Sequence, residues 1–189
     1  MFLKDSFLIA YYTRFYLMKK IILLGYMGSG KSSVGVQLAK MLNERHLDLD
    51  QIIEKKENLS ISEIFETKGE LYFRKVEHLC FKELVDSDES FVLSLGGGTP
   101  CYANNHLYLQ GEHLFSFYLK TSIDALYMRL KDSKTVRPLL AEKEESELKE
   151  YIAKHLFDRS FYYHQANNII TTDNKSNTEV AAEIAYLLT

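Results

Sequence analysis

Positive charge is scarce in this sequence. Its 23 lysines and arginines are outnumbered by 26 aspartates and glutamates, giving a formal net charge of −3 and a pI near 6.1. Such a chain has no basic field to wrap nucleic acid, and that class of partner is excluded. Cysteine is scarcer still, and the spacing of Cys80 and Cys101 fits neither a metal site nor a redox pair. Ordinary reduced thiols suit a cytosolic protein, so a cytoplasmic location is expected. The six histidines are scattered without the paired spacing of a zinc site. No internal repeat or low-complexity linker divides the chain, and 189 residues suffice for one domain with a sizeable core.

Long hydrophobic runs are missing too. The first 17 residues are apolar and aromatic, but Lys4, Asp5 and Arg14 interrupt them, and no small-residue cleavage site follows. The uncharged piece from Ser6 to Thr13 is far too short to span a bilayer, so no membrane partner is expected. Met18 reads as a natural start, and residues 1–17 are expected to be an extension outside the core, upstream of a single domain over 18–189. A genuine added element or membrane-touching segment is the alternative.

What is present is alternation. Short apolar runs at Lys20–Leu24, His46–Asp50, Phe91–Leu95, His113–Leu119 and Asn168–Thr172 read as strands. Between them, Lys31–Leu42 carries Val34, Leu38, Met41 and Leu42 at helical spacing. Ser60 with Glu63 forms a capping box that starts a short helix ending at Gly69, and a longer helix follows from Glu70 to Val85. Thr178–Leu188 closes the chain as an amphipathic helix. Buried strands alternating with helices predict an α/β fold, a parallel sheet covered on both faces. One stretch departs from the pattern: Lys131–Glu150 is strongly charged with Pro138 in its middle, and reads as a flap or as a solvated charged helix.

The stretch GYMGSGKSS, Gly25 to Ser33, lies between the first strand and the first helix. It matches G-x-x-x-x-G-K-[ST] through Gly25, Gly30, Lys31 and Ser32. Glycines let successive N–H groups turn toward phosphate oxygens, and the helix adds the positive end of its dipole. Lys31 is expected to reach the β- and γ-phosphates, and Ser32 to offer its hydroxyl to Mg²⁺. Gly28, Ser29, Gly30, Lys31, Ser32 and Ser33 are therefore the expected binding loop for a nucleoside triphosphate, with ATP in the first place. The motif itself leaves kinase, GTPase and motor ATPase open. The absence of an N-K-x-D motif speaks against a GTPase and the short chain against a motor, which favours a small kinase with an acceptor to find.

For the acceptor, Asp48 and Asp50 end the second strand and are expected on one strand face, turned toward the phosphate loop. One carboxylate could hold Mg²⁺ through water and the other take a proton from an attacking hydroxyl; a turn or cap pair is the plainer reading. Arg74 is a lone arginine on a helix, ordinarily a surface ion-pair partner. Gly96–Gly98 after the third strand either bring backbone N–H groups to a ligand or simply make a tight turn.

Taken in order, GxxGSGKSS, the DLD of Asp48–Asp50, the FR of YFRKVE, LSLGGG, VRPLL and the R-x-x-x-Y of Arg159 and Tyr163 resemble the shikimate kinases. The resemblance runs over nearly everything from Met18 to Thr189. It implies a nucleoside-monophosphate-kinase-like three-layer fold, a five-stranded parallel sheet ordered 2-3-1-4-5, with substrate-binding helices over about 51–86 and a mobile lid over about 131–150. It implies an enzyme passing the γ-phosphate of ATP to the 3-hydroxyl of shikimate, with Mg²⁺ as cofactor; a monomer is expected, although the sequence does not give the oligomeric state. Residue by residue, Asp50 would bind the hydroxyls, including the one phosphorylated, and Asp48 and Ser32 would sit at the metal. Arg74 and Arg159 would clamp the shikimate carboxylate, and Gly97 would also contact the substrate. Arg137 would come down from the lid onto the ATP phosphates, making Lys31, Asp50 and Arg137 the catalytic set. Planar carboxylates suit guanidinium forks, and phosphoryl transfer needs positive charge around the γ-phosphate.

This chain departs from the family pattern in places. An adenine-stacking arginine is frequent just before the lid, and the nearest candidate, Arg129, stands one position off. Lys175 follows the fifth strand where some relatives carry arginine. Residues 1–17 have no counterpart. A gluconate or nucleoside monophosphate kinase is the rival enzyme and a non-catalytic nucleotide-binding regulator the rival class. The former is not expected to combine DLD, GGG and two placed arginines; the latter has no need of acceptor carboxylates.

Overall fold

The computed structural model describes residues 19–111, 113–131 and 145–189. The extension 1–17, Met18 and the segment 132–144 that carries Arg137 lie outside the described residues.

Five strands, β1 Lys20–Leu24, β2 His46–Asp48, β3 Phe91–Ser94, β4 Leu114–Lys120 and β5 Asn168–Thr171, form one sheet in the order β2-β3-β1-β4-β5. Every pairing is parallel; Ile22 of β1 stands opposite Leu93 of β3 and Ser116 of β4. That is the order the resemblance implied, in a nucleoside-monophosphate-kinase-like fold. The helices among the described residues are α1 Lys31–Leu42, α2 Leu49–Glu57, α3 Ile61–Asp86, α4 Ile123–Lys131, α5 Glu145–Tyr163 and α6 Asn177–Leu187. None is long and apolar enough to cross a membrane.

The side-chain period of two in a strand explains the layering. Ile21 and Leu23 join Val34 and Leu38 of α1 and Val180 and Ile184 of α6 in one core. Ile22 and Leu24 face the other way, onto Ile53 of α2, Phe81 of α3, Leu126 of α4 and Ile152 of α5. Ile21, Ile22, Leu23 and Leu24 are wholly buried, each contributing about 1.5–3 kcal/mol of hydrophobic stabilisation. A parallel sheet with helices on both faces leaves the carboxyl ends of its strands as the crevice, and β1, β2 and β3 each end there in a segment singled out above.

One element differs from expectation. β2 stops at Asp48 rather than Asp50, so the two aspartates do not share a strand face. The Asp48 side chain accepts a hydrogen bond from the Asp50 backbone N–H at 3.1 Å and caps α2, which starts at Leu49. The capping reading and a place in the crevice hold together. Of the charged stretch Lys131–Glu150, Lys131 ends α4 and Glu145–Glu150 begin α5, with Leu148 buried in the core. The expected break at Gly69 is present: its φ of 80° and ψ of 169° interrupt α3.

Candidate active site

β1 runs directly into the glycine loop. At Gly25 a Cβ would lie 2.9 Å from the Leu119 carbonyl oxygen, so the loop can pass β4 only with glycine there. Gly30, at φ 98°, turns the chain into α1 as its N-cap without any side-chain cap. The first N–H groups of α1 thus keep their free donors, and no acidic residue in the first turn neutralises the positive helix end. Gly28, Gly30, Lys31, Ser32 and Ser33 line a cavity of about 630 Å³, together with Arg129, Lys175, Ser176 and Asn177. Ser29 is buried beneath the loop instead, and its hydroxyl has no partner among the described residues.

Lys31 donates to the carbonyl oxygens of Gly25 at 2.9 Å and Tyr26 at 3.0 Å. Burial lowers its pKa to about 8, against the opposite pull of Asp50 and Asp48. Ser32 donates to Asp48 Oδ2 at 2.8 Å, tying the phosphate loop to the end of β2. The Ser32 hydroxyl lining that cavity and the Asp48 carboxylate bonded to it make an all-oxygen donor set, which fits Mg²⁺, an ion held by one or two protein oxygens plus substrate phosphates. No group of three or more histidine, cysteine, aspartate or glutamate side chains suited to a metal occurs among the described residues.

A second cavity of about 220 Å³ adjoins the first and shares Lys31 and Ser32 with it. Asp50, Arg74, Gly97 and Arg159 all line it, brought together from α2, α3, the loop after β3 and α5. Asp50 is largely buried, and its pKa rises to about 6, first through burial and then through the nearby carboxylates of Asp48 and Glu77. Arg74 is an ion-pair partner as a lone helical arginine ordinarily is, to Glu70 at 3.3 Å and to buried Glu77 at 2.8 Å. It also faces the cavity. Arg159 forms no ion pair among the described residues; it donates to the Gly97 carbonyl at 3.4 Å and lies over the Tyr26 ring at 5.5 Å. Gly97 O also accepts from the Tyr163 hydroxyl at 2.6 Å. Phe65 and Phe73, whose ring centroids are 4.7 Å apart, supply an apolar wall.

The resemblance to known proteins is as consistent as the geometry. A sequence model of the family described as shikimate kinase matches residues 27–189. The chain belongs to the shikimate kinase family. It is accordingly a kinase. Over 171 residues it is 56% identical to the shikimate kinase of Flavobacterium johnsoniae, a match covering 90% of this chain and 99% of the relative. The shikimate kinase of Flavobacterium psychrophilum is 51% identical over the same shares. Among solved structures, a shikimate kinase from Bacteroides thetaiotaomicron superposes with a TM-score of 0.82 at 33% identity, covering 90% of this chain and 98% of that one. The Acinetobacter baumannii enzyme, solved in complex with shikimate, gives 0.81 at 32% identity, with 93% and 96% covered.

Several site residues escaped the sequence. Glu77 gave no sign of being the buried partner of Arg74 and of the Thr99 hydroxyl, 2.6 Å away. Its position one helical turn after Arg74 was the available signal. Ser176 and Asn177 could have been found from the Ser176–Glu179 capping box, which puts the N-terminus of α6 beside the glycine loop. Arg129 is a clamp here: its guanidinium donates to the carbonyls of Gly28, Ser29 and Thr172 at 3.2–3.3 Å.

Proposed function

We propose that the protein transfers the γ-phosphoryl group of ATP to the 3-hydroxyl of shikimate, giving shikimate 3-phosphate and ADP. The observation that carries this reading is the shared wall of the two cavities. Lys31 and Ser32 border both, so a donor phosphate in the larger and an acceptor hydroxyl in the smaller meet at the same two side chains.

The smaller cavity has the chemistry of a polyhydroxylated carboxylic acid. Arg74 and Arg159 supply guanidinium forks for a carboxylate at one end, and Arg159 comes without a competing carboxylate among the described residues. The Phe65 and Phe73 rings suit a carbon ring, and Asp50 accepts from hydroxyls at the end nearest Lys31. As the 3-oxygen attacks the γ-phosphorus, its proton passes to Asp50 and the bond from the γ-phosphorus to the β,γ-bridging oxygen breaks, releasing ADP. A carboxylate at about 6 is ionised at neutral pH yet basic enough to take that proton. Lys31 exchanges its two carbonyl partners for phosphate oxygens and steadies the developing charge. Mg²⁺, held at Ser32 and through water at Asp48, would neutralise charge on the β- and γ-phosphates.

A coupled assay of ADP release tests this with shikimate, gluconate and nucleoside monophosphates as acceptors. Turnover with shikimate is expected at least a hundredfold above the others. Equal or greater turnover with gluconate or a nucleotide would overturn the acceptor assignment.

A further inference from the structure

The guanidinium of Arg74 is held more tightly than its two glutamates require. On one side a Cβ at Gly98 would lie 3.0 Å from both terminal nitrogens, so the loop after β3 presses directly against the fork. On another, the ring of Tyr102 stacks on it, with Cζ 4.0 Å from the ring centroid. Tyr102 is over a third exposed, and a tyrosine at that exposure would ordinarily be free to swing. Here its backbone is fixed. The next two residues, Ala103 and Asn104, both adopt left-handed φ values, 50° and 57°, conformations costly for non-glycine residues that persist only where neighbours enforce them. Wholly buried Asn105 does so: its amide donates to the Thr99 carbonyl at 2.9 Å, and its Oδ1 lies 2.7 Å from His78 Nδ1. A strained turn anchored in the core therefore aims one exposed ring at one arginine.

We infer that Tyr102 is a positioning residue for acceptor recognition, its ring fixing the plane of the Arg74 guanidinium so that the fork meets the acceptor carboxylate at two points. The inference rests on the reading of Arg74 as a carboxylate ligand. Glu70 and Glu77 take hydrogen bonds from Nε, Nη1 and Nη2 along the edges of the guanidinium. The Phe73 ring lies 5.0 Å away, but the Tyr102 ring is the nearer, 4.0 Å over the guanidinium, and resists its tilting out of that plane. Arg159 also lies over a tyrosine ring, with Cζ 5.5 Å from the Tyr26 centroid.

The test compares Tyr102→Leu, Tyr102→Phe, Arg74→Lys and the double variant Arg74→Lys/Tyr102→Leu, each checked by thermal melting, with shikimate and its methyl ester as acceptors. Tyr102→Leu is expected to raise the shikimate KM about three- to tenfold, with kcat and the ATP KM within twofold. Tyr102→Phe restores the wild-type constant, since the ring and not the hydroxyl acts. The ester, which lacks the charged carboxylate, should lose no more than about 1.5-fold on Tyr102→Leu, and the double variant should be little worse than Arg74→Lys alone. Equal losses with acid and ester, additive effects, or a Tyr102→Leu enzyme with unchanged shikimate KM would each overturn the inference. Failure of the wild-type protein to phosphorylate shikimate would instead overturn the functional reading, so the two failures are distinguishable.

Discussion

Ser32 and Asp48 are joined by a hydrogen bond of 2.8 Å that ties the first turn of α1 to the end of β2. The hydroxyl follows β1 and the carboxylate closes β2, and β3 lies between those strands in the sheet. Both oxygens therefore meet over the crevice, where a divalent ion would find them together.

Asp48→Asn should weaken the metal requirement's affinity without removing it. The apparent Mg²⁺ constant is expected to rise about tenfold, as charge on the donor set is lost, while the shikimate KM moves less than threefold. A magnesium titration of turnover at saturating ATP checks this. An unchanged Mg²⁺ constant would leave Asp48 as a helix cap alone.

The two kinds of acceptor contact should fail differently. Arg74→Lys keeps the charge but loses the planar fork, so shikimate binding weakens by roughly 1–3 kcal/mol, on the order of ten- to a hundredfold in KM. Asp50→Asn keeps the shape and loses the proton acceptor, and should cut kcat more than Arg74→Lys does. Steady-state kinetics with each substrate varied in turn decides between these roles.

Protonation of Asp50 sets an acid limit. The kcat/KM for shikimate should fall about tenfold per pH unit below about 6 in the wild-type enzyme, and this limb should vanish in Asp50→Asn. Stability carries the opposite mark. Between 3.8 and about 6 the folded protein holds a proton that the unfolded chain has released, so this group's contribution is lost as pH rises through that window. Asp50→Asn should accordingly melt about 2–4 °C higher than wild type at pH 7.5, roughly 1 kcal/mol, and the gain should shrink as pH falls from 6 toward 4. Calorimetric scans of the ligand-free proteins across that range provide the check.

Gly98→Ala should damage recognition and spare the fold. Its backbone is right-handed, at φ −95° and ψ −17°, so alanine is tolerated locally, but the added methyl would stand 3.0 Å from the Arg74 fork. The shikimate KM is expected to rise about tenfold, with the melting temperature lower by no more than about 3 °C. A large fall in melting temperature with normal KM would show that the loop, not the arginine, yields.

The parts of the molecule legible in the sequence were those with a local cause. β1 and α1 could be placed to the residue because an apolar run meets a glycine turn and a regular helical stripe. The glycine loop, the carboxylates after β2 and the two arginines were legible as candidates because each sits in a short motif. The end of β2 was misplaced because Asp48 serves as both strand end and helix cap, and a capping bond to Asp50 leaves no mark in hydrophobic spacing. α4 and α5 went unmarked for a different reason. α4 carries Ile123, Leu126, Tyr127 and Leu130 at helical spacing, a stripe that is legible but short, whereas α5 exposes Phe157 and Phe161 while burying Leu148 and Ile152 and shows no clean stripe. Tyr102 was invisible because its turn depends on the buried side chain of Asn105, reached through the fold.

Lys31 donates to two carbonyls and has its pKa lowered by burial to about 8, so nucleotide binding there is expected to draw in a proton. Near pH 8 about half the ligand-free molecules have a neutral lysine, and phosphate oxygens drawing the amine back to its charged form must take a proton from the buffer. The heat of ATP binding at pH 8 should therefore change with the ionisation enthalpy of the buffer, by about half a proton's worth, and the dependence should nearly disappear at pH 7.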